Sequence, residues 1–210
     1  MLRRRIQIGM KQVEKKYIGF KDVVLTIGLT LIVAIIQIVA AMPFAAAPFL
    51  LAYVSAPTSM LVSGALFVLI MNKAPYRGTM FLFVAVLCAP MLFLGAAYVL
   101  PVSIFILGGA MGELVFWKNM TRTYSKLTIA FAIYAATYGI GTYGVAVLTR
   151  DSMLTQLSEQ GTPQEVIDQY MTLYTLPYIA GAVVLGVVCA VLGIYFGTKI
   201  FKKHFARITA

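Results

Sequence analysis

The sequence predicts an all-α integral membrane protein, a single-domain six-helix bundle (1–210) with both termini cytoplasmic. Three observations predict it. Of the 210 residues, 61% are hydrophobic and only 11% charged, whereas a soluble domain is nearer half apolar and a quarter charged. The mean hydropathy is +0.90, an excess that so short a chain cannot hide in a core. The apolar residues also gather into runs near the length of about 20 that a spanning helix needs. These runs lack period-2 alternation, which argues against a β-barrel. In lipid the backbone must then be satisfied within helices.

Residues 1–20 form a basic segment in which Ile6, Met10, Val13, Tyr17 and Phe20 share one face at helical spacing, the pattern of an interfacial helix. The first span is 22–42. It is longer than a signal core and its basic preface is long, so it reads as an anchor rather than a cleaved leader. Within it Thr26, Thr30 and Ala34 make a ridge of small residues, a device that lets helices approach closely. The second span, 47–71, contains Pro57, which is expected to break its regularity. The third is 79–97. The fourth, 100–117, is short and carries Gly108 and Gly112. The fifth is 126–148. The sixth, 172–201, is long enough to project past the bilayer; Ala182, Gly186, Ala190, Gly193 and Gly197 give it a second small-residue ridge. Between the last two lies a polar connector, 149–171. There Thr162-Pro163-Gln164-Glu165 reads as a helix start, with Thr as N-cap and Pro at the first position. It predicts a short helix over 163–170, either a lid or a passive connector.

The charges set the orientation. Every Lys and Arg except Arg150 falls before the first span, in the two-to-three and four-to-five connections with Lys126 at the edge of the fifth span, or after the sixth with Lys199 in its last turn. The positive-inside rule places those segments in the cytoplasm, at the plasma membrane. Four of the seven acids (Asp151, Glu159, Glu165, Asp168) lie in the external connector. The net charge of +10 is thus a topology signal matched to anionic lipid headgroups, not a sign of nucleic acid.

Catalytic constellations are missing from the sequence. Gly193 to Lys199 resembles an ATP-binding loop only by chance: its glycines are too close, Thr198 separates Gly197 from Lys199, and it sits in an apolar helix. Asn119-Met120-Thr121 is a glycosylation triplet on the cytoplasmic side. The single histidine, His204, lies in the basic tail, so no Ser/His/Asp set can form. Cys88 and Cys189 lie in apolar runs and read as packing residues; no metal spacing exists. The chain is therefore expected to be no enzyme and to hold no cofactor. Glu113 is the one acid well inside a span. It reads as a carboxylate that fixes helix packing, with a contact to a partner subunit as the alternative.

The outer half of the bundle is rich in aromatic and hydroxyl residues: Gln37, Tyr98, Ser103, Tyr138, Thr142, Tyr143, Tyr174 and Tyr178. Such groups can stack on and hydrogen-bond a flat small molecule. Tyr also collects at membrane interfaces. Gln37, Tyr138 and Thr142 lie deeper, where a buried amide or hydroxyl must find a partner.

The opening Phe20-Lys21-Asp22-Val23-Val24 followed by Gly28, the pair Arg150-Asp151, and the closing Gly193-Ile194-Tyr195-Phe196-Gly197-Thr198-Lys199-Ile200-Phe201-Lys202-Lys203-His204-Phe205 resemble the Trep_Strep (MptS) family of substrate-binding S components of energy-coupling factor (ECF) transporters. The resemblance runs from about Lys21 onward. It implies six helices and no ATPase in this chain. It implies capture of a vitamin or related micronutrient outside, under a gate at Met42, Pro43, Phe44 and Pro48. It further implies docking, through Thr26, Thr30 and Ala34, on a T component driven by two cytoplasmic ATPase subunits. A self-sufficient secondary carrier or facilitator is the alternative, and a membrane enzyme or structural adaptor is a third.

Overall fold

The computed structural model describes residues 19–44, 47–92, 99–117 and 123–205. The interfacial face expected at Ile6, Met10, Val13 and Tyr17 lies outside them. Every regular element among the described residues is helical. Helix α1 is Phe20–Phe44 and α2 is Pro48–Lys73. Helices α3 (Thr79–Leu92) and α4 (Val99–Leu114) follow. Then come α5 (Tyr124–Leu148), α6 (Arg150–Glu159), α7 (Gln164–Leu173) and α8 (Leu176–Phe205). Four of these, α1, α2, α5 and α8, are long and apolar enough to cross a membrane. Helices α3 and α4 are apolar but have only 14 and 16 residues, about 21 and 24 Å of helix against a hydrocarbon core of about 30 Å.

The connector departs from expectation. It holds two helices, α6 and α7, rather than one. Pro163, not Thr162, is the N-cap of α7, because its ψ of 139° keeps it extended just outside the helix. Helix α6 carries no apolar periodicity to announce it.

The main core joins α2, α3 and α5. Phe67 stacks on Phe131 with centroids 4.9 Å apart, and Phe83 lies 5.3 Å from Phe67 and 5.9 Å from Tyr134. Around this aromatic centre pack Met60, Ile70, Met71 and Met80, with Val102 and Phe105 from α4 and Ala190 and Ile194 from α8. Cys88 is buried in it as a thiol. Helix α1 sits at the periphery: its long outer face of Leu31, Ile32, Ile35, Ile38 and Val39 is exposed, as lipid contact requires.

The tightest helix pair is α2 with α8. A Cβ at Gly193 would meet the Leu61 backbone carbonyl, and one at Gly197 would lie 2.6 Å from the Ala65 Cα. The two backbones touch, which only glycine permits. At Gly186, on the same predicted ridge, a Cβ would meet nothing within 4 Å.

At the end of the bundle holding the α2–α3 turn, Gly78 takes φ +88° and leads into α3. The Glu113 carboxylate of α4 reaches across to it: one oxygen accepts from the Gly78 N–H at 2.8 Å, the other from the Met80 N–H at 3.0 Å. A carboxylate from another helix thus caps α3, meeting two otherwise unpaired donors at the positive end of the helix dipole. Arg77 lies 5.7 Å over the Trp117 ring beside it. The packing role expected of Glu113 is what the geometry gives.

Two π turns interrupt the long helices: Leu51–Ser55 in α2 and Ile140–Gly144 in α5. The first precedes Pro57 directly. A proline ring clashes with the carbonyl four residues back, here that of Tyr53, and the wider turn accommodates it, so α2 continues where a break was expected. Neither turn has a signature in composition.

Candidate functional site

The ridge Thr26–Thr30–Ala34, expected to dock a partner, is turned inward. Thr26 and Thr30 are both 0% exposed. The Thr26 hydroxyl shares a 2.9 Å hydrogen bond with the Tyr76 hydroxyl, and Thr30 donates to the Thr26 carbonyl at 2.7 Å. Ala34 is half-buried against the main core. The small residues give closeness within the chain: α1 packs this stripe on α2 and α3 and leaves its bulky apolar residues outside.

The same inward face carries Gln37, which builds the floor of a polar chain through the bundle. Its Nε2 donates to Ser63 Oγ of α2 at 3.0 Å, and its carboxamide also lies beside the Tyr134 hydroxyl of α5. Tyr134 lies 6.1 Å from Tyr138, which stacks on Phe105 at 5.0 Å and has Thr142 beside its hydroxyl one turn on. Tyr143 follows within the π turn, in electrostatic reach of Tyr138, Tyr174 and Tyr53. Amide, hydroxyls and ring faces thus run continuously from mid-bundle toward the end bearing α6 and α7.

That end is closed by a second cluster: Ala52, Tyr143, Ala146, Leu173, Tyr174, Ile179 and Ala182, with Phe49, Tyr53 and Tyr170 packed against it. The Tyr53 hydroxyl, on the α2 π turn, donates to the Tyr178 carbonyl at 2.5 Å. Ser55, on the same turn, donates to the Ala40 carbonyl at 2.8 Å. The π turn is thereby tied to both α1 and α8. Helix α7 packs on Pro48–Leu50, covering the start of α2.

Of the sequence-predicted residues, the structure brings together Gln37, Tyr138, Thr142, Tyr143 and Tyr174. Tyr178 is exposed and contributes its carbonyl and a ring edge 5.6 Å from Phe49. Ser103 does not belong: it is exposed and donates to the Val99 carbonyl of its own helix at 2.8 Å. The phase of α4 buries Val102 and Phe105 instead. Tyr98 lies outside the described residues. At the expected gate, Met42 and Pro43 are exposed, Phe44 half-buried and Pro48 buried. Ser63, Tyr134, Tyr53, Phe49 and Tyr170 were not foreseen. Tyr134 was within reach, one turn before Tyr138 on the same stripe; the others needed the tertiary fold.

Burial raises the hydroxyls of Tyr170 and Tyr174 above their ordinary value of 10.0, with the nearby Tyr170 hydroxyl adding to the effect at Tyr174. A raised folded-state value means the neutral form is favoured by folding. The contribution is fully present below pH 10.0 and is lost as pH rises through the raised values. Alkaline titration in detergent is expected to show a late-ionising fraction of the 12 tyrosines, its absorbance appearing together with loss of near-UV circular dichroism. Absence of that late fraction, with every tyrosine ionised and the spectrum unchanged, would contradict the closed cluster.

The fold and this interior define an α-helical integral membrane protein whose bundle encloses a polar, aromatic-lined chain. The protein belongs to the Trep_Strep family, described as hypothetical bacterial integral membrane protein, which matches residues 20–207. No curated protein and no solved structure matches the chain.

Proposed function

We propose that this protein is the substrate-binding membrane subunit of an ECF-type importer. It takes a vitamin or related micronutrient from outside the cell and passes it inward with a T component and two cytoplasmic ATPases. In this reading it catalyses nothing itself. It lies in the plasma membrane with six spans and cytoplasmic termini, α3 and α4 crossing as a short pair. The observation that carries the reading is the chain Gln37–Tyr134, Tyr138–Thr142 and Tyr143–Tyr174. Donors and acceptors are otherwise costly to bury at such depth. The confinement of Lys and Arg, Arg150 apart, to one side of the predicted spans supports the orientation. With the Thr26–Thr30 stripe turned inward, the surface offered to the T component is the exposed face of Leu31, Ile35 and Ile38.

Gentle purification of the tagged protein from its host, with mass spectrometry of what accompanies it, tests the assignment. Recovery of a T component and two ATPases is the expected result. Recovery of this chain alone after crosslinking, with transport in liposomes holding nothing else, would establish the lone carrier instead. Within the site, Tyr138→Ala is expected to weaken ligand binding by about 1–3 kcal/mol through the lost stacked face and hydroxyl. Calorimetry showing an unchanged affinity would return Tyr138 to a packing role.

A further inference from the structure

Arg150 is the one basic residue outside the four predicted cytoplasmic segments, and the chain described so far makes no use of it. It follows α5 after the single residue Thr149. Ala146, one turn earlier, is buried in the Tyr143–Tyr174 cluster, so Arg150 stands at that cluster's outer rim. Its side chain is half-buried, and its Nε is fully buried with no hydrogen-bond partner. The acids of the connector do not serve it: Asp151, Glu159, Glu165 and Asp168 are all exposed, and Asp168 accepts from Gln164 at 3.0 Å. A buried donor left unpaired is costly, and a guanidinium cannot escape by losing its proton. The position adds to the cost, because Arg150 opens α6, where the helix dipole disfavours a cation and favours an anion. An anion against the accessible part of the guanidinium offsets the dipole penalty directly, and a shift of the side chain toward it opens Nε to the same partner.

We propose that Arg150 is the anion anchor of the ligand site, so that the substrate is a flat aromatic molecule bearing a carboxylate or phosphate. This rests on the binding-subunit reading above. The guanidinium presents parallel donors that match either group, and the aromatic cluster holding Tyr143, Ala146 and Tyr174 begins one helical turn before it.

The test uses the purified full chain in detergent, with thermal unfolding followed against benzoate, benzamide and inorganic phosphate. Benzoate is expected to stabilise the wild type more than benzamide, which has the same ring without the charge. In R150Q the apparent benzoate affinity is expected to fall about tenfold or more and the benzamide response to stay unchanged. Ligand-free R150M is expected to unfold no earlier than the wild type, since it removes an unpaired charge. A wild type that answers neither benzoate nor phosphate overturns the proposal. So does an R150Q variant that answers both as the wild type does, or an R150M variant that unfolds markedly earlier. Failure here leaves capture of the T component intact, whereas failure of the binding-subunit reading removes that capture whatever Arg150 does.

Discussion

Gly193→Leu is expected to eliminate the folded protein. Helices α2 and α8 meet backbone to backbone, and the first atom of any side chain at Gly193 would fall on the Leu61 carbonyl. A flexible neighbour could move aside; a main-chain oxygen inside a helix cannot do so without separating the helices. Overpacking a core ordinarily costs about 1–3 kcal/mol. Here even Gly193→Ala is expected to reach the top of that range, because separating the pair also strips contacts at Gly64 and Gly197, whose added Cβ atoms would approach Ala190 and Ala65. Gly186→Ala provides the control. With open space at that position, it is expected to be neutral or stabilising by about 0.5–1 kcal/mol, since alanine favours the helix. Monodisperse recovery and unfolding temperature in mild detergent measure all three. A Gly193→Leu protein as stable as Gly186→Ala would mean the helices do not touch as described.

Glu113→Ala is expected to be the most damaging polar substitution. Neutral hydrogen bonds between membrane helices average only about 0.6 kcal/mol, so two of them would give little more than 1. Glu113 differs in being a carboxylate that accepts from both Gly78 and Met80. Charge-assisted bonds contribute about 1.5–3 kcal/mol each, and truncation leaves two donors unpaired at a helix start. We expect a loss of about 2–4 kcal/mol, with Glu113→Gln, which retains one acceptor, losing about half as much. Equal unfolding temperatures for Glu113→Gln and the wild type would show that the charge and the second acceptor contribute nothing. Ligand binding in the surviving folded fraction is expected to be unchanged, because Glu113 lies at the opposite end from the tyrosine cluster.

These two positions also mark what the sequence could and could not reveal. Apolar runs predicted the helices well: 22–42 against Phe20–Phe44, 47–71 against Pro48–Lys73, and 126–148 against Tyr124–Leu148. Burial in lipid is a property of composition, and composition is local. The orientation of a stripe is not local. Thr26, Thr30 and Ala34 form a ridge on either side of the question, and only the position of α2 and α3 decides that it faces in. Ser103 failed for the same reason, since the phase of α4 turns it out. Gln37, Tyr138 and Thr142 were legible because a deep polar group has few ways to be satisfied. Tyr53 was not, because its place depends on a π turn that leaves no trace in residue type. Helix α6 was hidden by its lack of periodicity, and Pro57 misled because the adjoining wide turn absorbs its ring.

Those wide turns have a genetic consequence. Each π turn holds one residue more than the α-helix it interrupts, and each residue advances a helix by about 100°. Tyr53 and Tyr143 each sit within such a turn. Removing one residue from Leu51–Ser55 or from Ile140–Gly144 would restore plain helix and leave the inner halves of α2 and α5 in register. The flanking halves would stay close to their present phase, and the residues of the wide turn itself would be re-aimed. Point substitutions at the tyrosines can only trim the site, whereas a single-codon deletion would present a different set of side chains to whatever enters from that end.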